Sequence, residues 1–104
     1  CLYSYKYEFT DVLPLIKLFC ALSVSARQTL IRSTVHATQD ERKLFRPLWA
    51  EAMRDPAAVV VLATLESIAF NNVRSLRPLV TSLARDKREA IAEAANEVFA
   101  AWEG

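Results

Sequence analysis

The stretch at residues 86–102, DKREAIAEAANEVFAAW, decides the fold class, because it carries the signals for the start and the buried face of one amphipathic helix. Asp86 and Glu89 have the spacing of a capping box, in which two side chains satisfy backbone N–H groups at the start of a helix. Apolar residues then recur every three or four positions, which is the spacing of one helix face. The last helix is therefore predicted to pack this face on the core through Ile91, Ala94, Ala95, Val98, Phe99 and Trp102.

The composition of the whole chain also favours helices. Apolar residues make up 53% of the 104 residues, and the single glycine is the last residue. A β-sandwich or an α/β fold of this size needs several glycines in its turns. The chain is therefore predicted to be all-α, an irregular bundle of five to six helices that forms a single helical domain over residues 10–104. Residues 1–9 alternate between aromatic and polar side chains, which predicts an extended aromatic arm.

Capping residues and prolines divide the region before the last helix. A capping box of Ser25 with Gln28 is predicted to open the second helix, and Asp40 is predicted to cap the third. Pro47 is expected to kink or restart that third helix. Asp55, followed by a proline, is predicted to cap an apolar helix at the centre of the fold, in which Leu62 and Leu65 are buried. The predicted helices cover residues 11–22, 25–38, 41–54, 56–70 and 78–85, with one short turn at 73–76.

The sequence contains no pattern that predicts catalysis. His36 is the only histidine, and the two cysteines, Cys1 and Cys20, are too few for a disulfide framework or a metal site. No glycine-rich loop is present to bind phosphate, and no serine lies in a nucleophile-elbow motif. Glutamates on the last helix fit a solvated face as well as an acid–base pair. We therefore predict a protein that is not an enzyme and that needs no cofactor and no metal.

Charge and hydropathy limit the class of partner. The formal net charge is +1, so direct binding of nucleic acid is disfavoured. The longest uncharged apolar run, residues 56–65, is far shorter than the roughly 20 residues of a membrane span, so no membrane interaction is expected. Two free cysteines are typical of a reducing compartment. Because the chain has no initiator methionine, we expect it to be one domain of a larger protein.

Residues 73–88 carry the one feature that suggests binding. Apolar residues on two short helices, rimmed by basic residues, can receive an acidic–hydrophobic peptide, since burial supplies affinity and arginines orient the carboxylates. The other interpretation is a core face with an ordinary solvated rim. The predicted basic–apolar face consists of Arg74, Leu76, Arg77, Leu79, Val80, Leu83, Arg85, Lys87 and Arg88.

The same region resembles the TFIIS N-terminal domain, or LW domain, over roughly residues 46–104. Leu62, Leu65 and Ile68 are similar to the family's LxxLxxL helix, and Phe70-Asn71-Asn72 occupy its short polar break. The segment Val80-Thr81-Ser82-Leu83-Ala84-Arg85 is similar to its VxxLRK stretch. Ala92, Ala95, Val98 and Trp102 follow its AxxLxxxW helix. The chain departs from the family at residues 74–78, where a glycine-containing turn is usual, and at Glu103, where lysine is usual.

The resemblance implies a protein–protein interaction module of a nuclear transcription elongation or chromatin-associated factor. Its expected partners are short disordered motifs, acidic and hydrophobic in character, in other transcription or chromatin proteins, and its expected compartment is the nucleus. The alternative is a HEAT- or VHS-like helical scaffold domain that has no role in transcription.

Overall fold

A computed structural model describes residues 13–103 of the protein, which fold into six α-helices and one short 3-10 helix with no strand among them. The prediction of an all-α bundle of five to six helices is confirmed. The predicted arm at residues 1–9 lies outside the described residues. The helices are α1 (Leu13–Ala21), α2 (Val24–Ser33), α3 (Gln39–Ala52), α4 (Ala58–Phe70), the 3-10 helix (Arg74–Leu76), α5 (Arg77–Leu83) and α6 (Glu89–Glu103).

Helix α4 lies at the centre of the bundle, as its nearly uniform apolar sequence predicts. It packs against α2, α3 and α6, while α5 packs on α6 and α1 contacts α2 and α3. The predicted buried face of α6 is confirmed for Ile91, Ala95, Val98 and Trp102, and Leu65 on α4 is also buried. The predicted burial of Leu62 is wrong. Leu62 is only half-buried, because the face of α4 that carries it turns away from the core.

Two predicted helix starts are wrong by two residues. Ser23, not Ser25, caps α2, and its hydroxyl accepts a hydrogen bond from the backbone N–H of Ala26 at 3.2 Å. Thr38, not Asp40, caps α3. The Thr38 hydroxyl accepts from the Glu41 N–H at 3.2 Å and the Glu41 carboxylate from the Thr38 N–H at 2.9 Å, a complete capping box. These bonds lower the pKa of the Glu41 carboxyl.

Pro47 does not interrupt α3, which runs unbroken from Gln39 to Ala52. A proline in a helix interior removes one backbone hydrogen bond and crowds the preceding turn. The turn that follows Pro47 places Leu48, Trp49 and Ala52 at 0% exposure in the core. Burial of these side chains offsets the local cost of the proline, so tertiary packing decides the course of α3.

Two of the predicted aspartate caps, Asp55 and Asp86, each pair with an arginine and also accept a backbone N–H bond just before a helix. Asp55 is 1% exposed at its side chain and pairs with Arg27, whose Nε lies 2.8 Å from Oδ2. Its Oδ1 accepts from the Ala57 N–H at 2.9 Å, and Ala57 is the N-cap of α4. Asp86 likewise accepts from the backbone N–H and the guanidinium of Arg88. No bond links Asp86 to Glu89, so the predicted capping box is absent there.

Cys20 on α1 packs half-buried against the core and takes part in a disulfide. The expectation of a free thiol is therefore wrong for this residue. Disulfides persist mainly in oxidising compartments, so this bond gives no support to the reducing compartment that the cysteine content suggested.

Candidate peptide-binding surface

The predicted basic–apolar face at residues 73–88 is divided between core and surface. Leu76, Val80 and Leu83 are 3%, 0% and 9% exposed and belong to the core. Leu79 is half-buried against the same cluster. The apolar part of the predicted face is thus a core face of α5 and the 3-10 helix.

The basic residues of this face are not gathered at one place. Arg74 and Arg77 lie at the start of α5, whereas Arg85 and Lys87 lie beyond its end, all four of them exposed. Arg77 stacks on the ring of Phe99, with its Cζ atom 5.0 Å from the ring centroid.

Arg88 is half-buried and already engaged. It donates to the Asp86 carboxylate at 2.9 Å and to the Pro56 carbonyl oxygen at 3.1 Å. The Arg88 guanidinium and backbone N–H lower the pKa of the Asp86 carboxyl. Arg88 therefore ties the start of α6 to the loop before α4.

A different group of arginines converges on the connection at residues 71–75, between α4 and α5. Arg42 Nε donates to the side-chain oxygen of Asn71 at 3.2 Å, and Arg46 Nε donates to the Ser75 hydroxyl at 2.8 Å. Arg74 Nε donates to the Asn72 side-chain oxygen at 3.0 Å, and its terminal nitrogen bonds the Trp102 carbonyl oxygen at the end of α6. We call Arg42, Arg46 and Arg74 the arginine cluster.

The connection that holds this cluster is itself fixed. Asn71 is 2% exposed, and its amide donates to the carbonyl oxygens of Val35 at 3.0 Å and Ser67 at 2.8 Å. Asn72 has φ of 56°, in the left-handed region that asparagine tolerates better than most residues. The predicted break of α4 at these two residues is confirmed. The three guanidinium groups are therefore carried by ordered backbone.

The sequence pointed to Arg74 but not to Arg42 or Arg46, which reach the cluster from α3, 29 residues earlier in the chain. One signal was present: Arg42 and Arg46 are four residues apart and share one face of a helix. Nothing in the sequence alone indicated that this face meets the end of α4.

An exposed aromatic ring adjoins the arginine cluster. Phe70, the last residue of α4, is 61% exposed and immediately precedes Asn71. Its ring meets the imidazole of His36 edge-on, with the centroids 5.0 Å apart. Phe70 is joined directly to Asn71, which accepts a bond from Arg42, so an exposed apolar side chain is the chain neighbour of the arginine cluster.

Helices α4 and α6 run parallel to each other. Arg74, just after α4, bonds the carbonyl of Trp102 near the end of α6, while Arg88, just before α6, bonds the carbonyl of Pro56 before α4. The starts of α4 and α6 therefore lie close together, and so do their ends. Between them lies an open groove of about 540 Å³. Its lining residues are Leu62, Leu65, Glu66, Ala69, Phe70, Ala94, Glu97, Val98 and Ala101.

Other kinds of site find little support in the described part of the chain. No cluster of three or more histidine, cysteine, aspartate or glutamate side chains in residues 13–103 is arranged to hold a metal ion. None of the helices described has both the length and the apolar character to cross a membrane. Comparison with protein-family models, with curated proteins and with solved structures found no match to this chain.

Proposed function

We propose that this protein is a protein–protein interaction module without enzymatic activity, which binds a short acidic–hydrophobic motif at the arginine cluster and Phe70. One observation carries the proposal: three guanidinium groups from two separate parts of the chain lie on one ordered connection beside an exposed aromatic ring. Relative to the basic–apolar face predicted from sequence, Arg74 is kept, and Arg42, Arg46 and Phe70 are added.

The geometry of the arginines suits carboxylate binding. Arg42 and Arg46 are each held through Nε, so the terminal nitrogens that form two-pronged bonds with carboxylates have no partner among the described residues. Holding the guanidinium in place reduces the conformational entropy lost on binding. An apolar side chain of the same motif would pack on Phe70.

The competing structural interpretation is that the arginines only hold the connection. Each of the three makes at least one bond to it, and Arg74 also satisfies a carbonyl at the end of α6, where a cation is favoured by the helix dipole. Under that interpretation the charges contribute to folding and not to recognition. Only the first interpretation predicts that a carboxylate-rich peptide binds at the arginine cluster.

A nuclear role in transcription elongation or chromatin is part of the proposal. Its support is the resemblance to the TFIIS N-terminal domain, while the disulfide at Cys20 counts against it, because disulfides are rare in nuclear proteins. Leu65, Ile68, Ala95, Val98 and Trp102 are buried, as that resemblance implies. Any helical bundle with this periodicity would bury these positions, so they support the family weakly. The second candidate, a HEAT- or VHS-like scaffold, predicts the same core but requires no motif site at the arginine cluster.

The test is fluorescence anisotropy with a labelled peptide in which aspartates flank phenylalanine and leucine, compared with a peptide that has lysines in place of the aspartates. We expect micromolar binding of the acidic peptide, roughly −8 kcal/mol. Arg42→Glu with Arg46→Glu should weaken it by about tenfold or more, because attraction becomes repulsion. The lysine peptide should not bind at this site.

The matched control is Arg85→Glu with Lys87→Glu, which makes the same charge change at the opposite end of α5. We expect it to change affinity by less than about twofold, since this end lies away from the arginine cluster. Circular dichroism should show that both double variants are folded. If the control weakens binding and the cluster variant does not, the site lies at residues 85–88 instead.

A further inference from the structure

Helix α4 leaves one apolar face uncovered, and this face forms a wall of the groove beside α6. Leu62 is half-buried there, and Phe70 is 61% exposed. Opposite them, α6 contributes alanines, Ala94 and Ala101, whose short side chains leave the groove open. Helices α2, α3 and α6 pack on α4 and leave this part of its apolar surface uncovered.

The dimensions of this groove suit a helix. The lining of α4 runs from Leu62 to Phe70, and the eight steps between these residues, at about 1.5 Å each, span about 12 Å, or roughly two helical turns. The parallel course of α4 and α6 gives the groove two straight walls. Its volume of about 540 Å³ accommodates several side chains of an amphipathic helix, the arrangement in which anchors recur at i, i+3, i+4 and i+7.

The charge of the groove selects among such helices. Glu66 on α4 and Glu97 on α6 are exposed and belong to opposite walls, and neither forms an ion pair with any described residue. No lysine or arginine is among the lining residues. We propose that the α4–α6 groove is a second docking site, for an amphipathic helix of a partner protein that carries lysine or arginine beside its apolar face.

Two other occupants fit less well. A second copy of this chain would place Glu66 and Glu97 of one molecule against the same residues of the other, which like-charge repulsion disfavours. A small molecule would need several convergent polar groups to fix its orientation, and the groove offers only two rim carboxylates among apolar side chains. The proposed helix would pack its apolar face on the walls of the groove and pair its lysines or arginines with the carboxylates at the rim.

The groove and the motif site share Phe70, but the two proposals require partners of opposite charge. The test uses two designed 14-residue amphipathic helices with the same leucine face, one flanked by lysines and the other by glutamates, titrated calorimetrically into the protein. We expect the lysine peptide to bind at least about tenfold more tightly. Glu66→Lys with Glu97→Lys should reverse this preference.

The matched control is Asp40→Lys with Glu103→Lys, the same charge change at exposed positions outside the groove lining, which should leave the preference for the lysine peptide unchanged. Equal binding of the two peptides, binding of neither, or the same response to groove and control variants would overturn the inference. Sedimentation velocity tests whether a second copy of this chain occupies the groove. A wild-type dimer that Leu62→Lys dissociates would assign the groove to self-association.

Discussion

The pair between Arg27 and Asp55 makes the sharpest prediction about what holds this fold together. It joins α2 to the loop between α3 and α4, with Arg27 Nε 2.8 Å from Asp55 Oδ2 and side-chain exposures of 13% and 1%. The substitution Asp55→Asn keeps an oxygen acceptor for the Ala57 N–H, but it removes the charge and replaces the Oδ2 acceptor that faces Arg27 Nε by an amide donor. It leaves a nearly buried guanidinium without its counter-charge, a change that typically costs about 3–5 kcal/mol.

Because the asparagine side chain keeps that oxygen acceptor, we expect the lower limit, about 3 kcal/mol. With a urea slope of about 1.5 kcal/mol/M, the unfolding midpoint should fall by about 2 M, followed by the fluorescence of the buried tryptophans. The control is Asp86→Asn, whose pair with Arg88 has a similar length of 2.9 Å but exposures of 40% for the arginine and 19% for the aspartate. Its midpoint should hardly change. A loss below about 1 kcal/mol for Asp55→Asn would refute the reasoning that burial makes this pair costly to break.

Three further predictions concern stability. Trp102→Ala should cost about 3–5 kcal/mol of unfolding free energy, because the ring is only 4% exposed. Trp102→Phe should cost distinctly less, since the indole Nε1 that it removes has no hydrogen-bond partner within residues 13–103. Urea unfolding measures both losses, and a loss below about 1 kcal/mol for the alanine variant would place the ring outside the core. Burial raises the pKa of the Glu51 carboxyl, so the folded protein favours the protonated form of this side chain. The stability that this preference gives is present below the unfolded pKa of about 4.3 and is lost as pH rises through the folded pKa. Glu51→Gln should therefore unfold at higher temperature than wild type at pH 7 but not at pH 3, and a gain that is independent of pH would contradict this. Pro47→Ala should stabilise the protein by up to about 3 kcal/mol, because alanine restores a backbone N–H donor inside α3. If the urea midpoint does not rise, α3 is not a regular helix at this position.

Much of the fold could be predicted because hydrophobic periodicity reflects burial directly. The α6 stripe from Ile91 to Trp102 and the break at Asn71 are local signals, and the structure retains both. Cap positions were less certain, because Ser23 and Ser25, like Thr38 and Asp40, are two residues apart and all four can cap a helix. Which member of each pair caps the helix depends on where the tertiary packing starts the first turn.

The parts that could not be predicted involve residues that are far apart in the chain. Asp55 was assigned to a helix cap because the sequence does not show that Arg27 competes for its carboxylate. Arg42 and Arg46 meet the end of α4 only after α3 has packed against it. The buried state of Leu76, Val80 and Leu83 also depends on packing, since apolar residues on a short helix fit a core face and a binding face equally well.

The most direct test of the proposed motif site is an NMR titration of the 15N-labelled protein with the acidic–hydrophobic peptide, at low and at high salt. The account predicts that the largest shift changes lie at the amides of residues 42–46 and 70–77, and that affinity falls as salt screens the arginine charges. Shifts that map to α1 and α2 or to residues 85–88, or an affinity that does not change with salt, would contradict it.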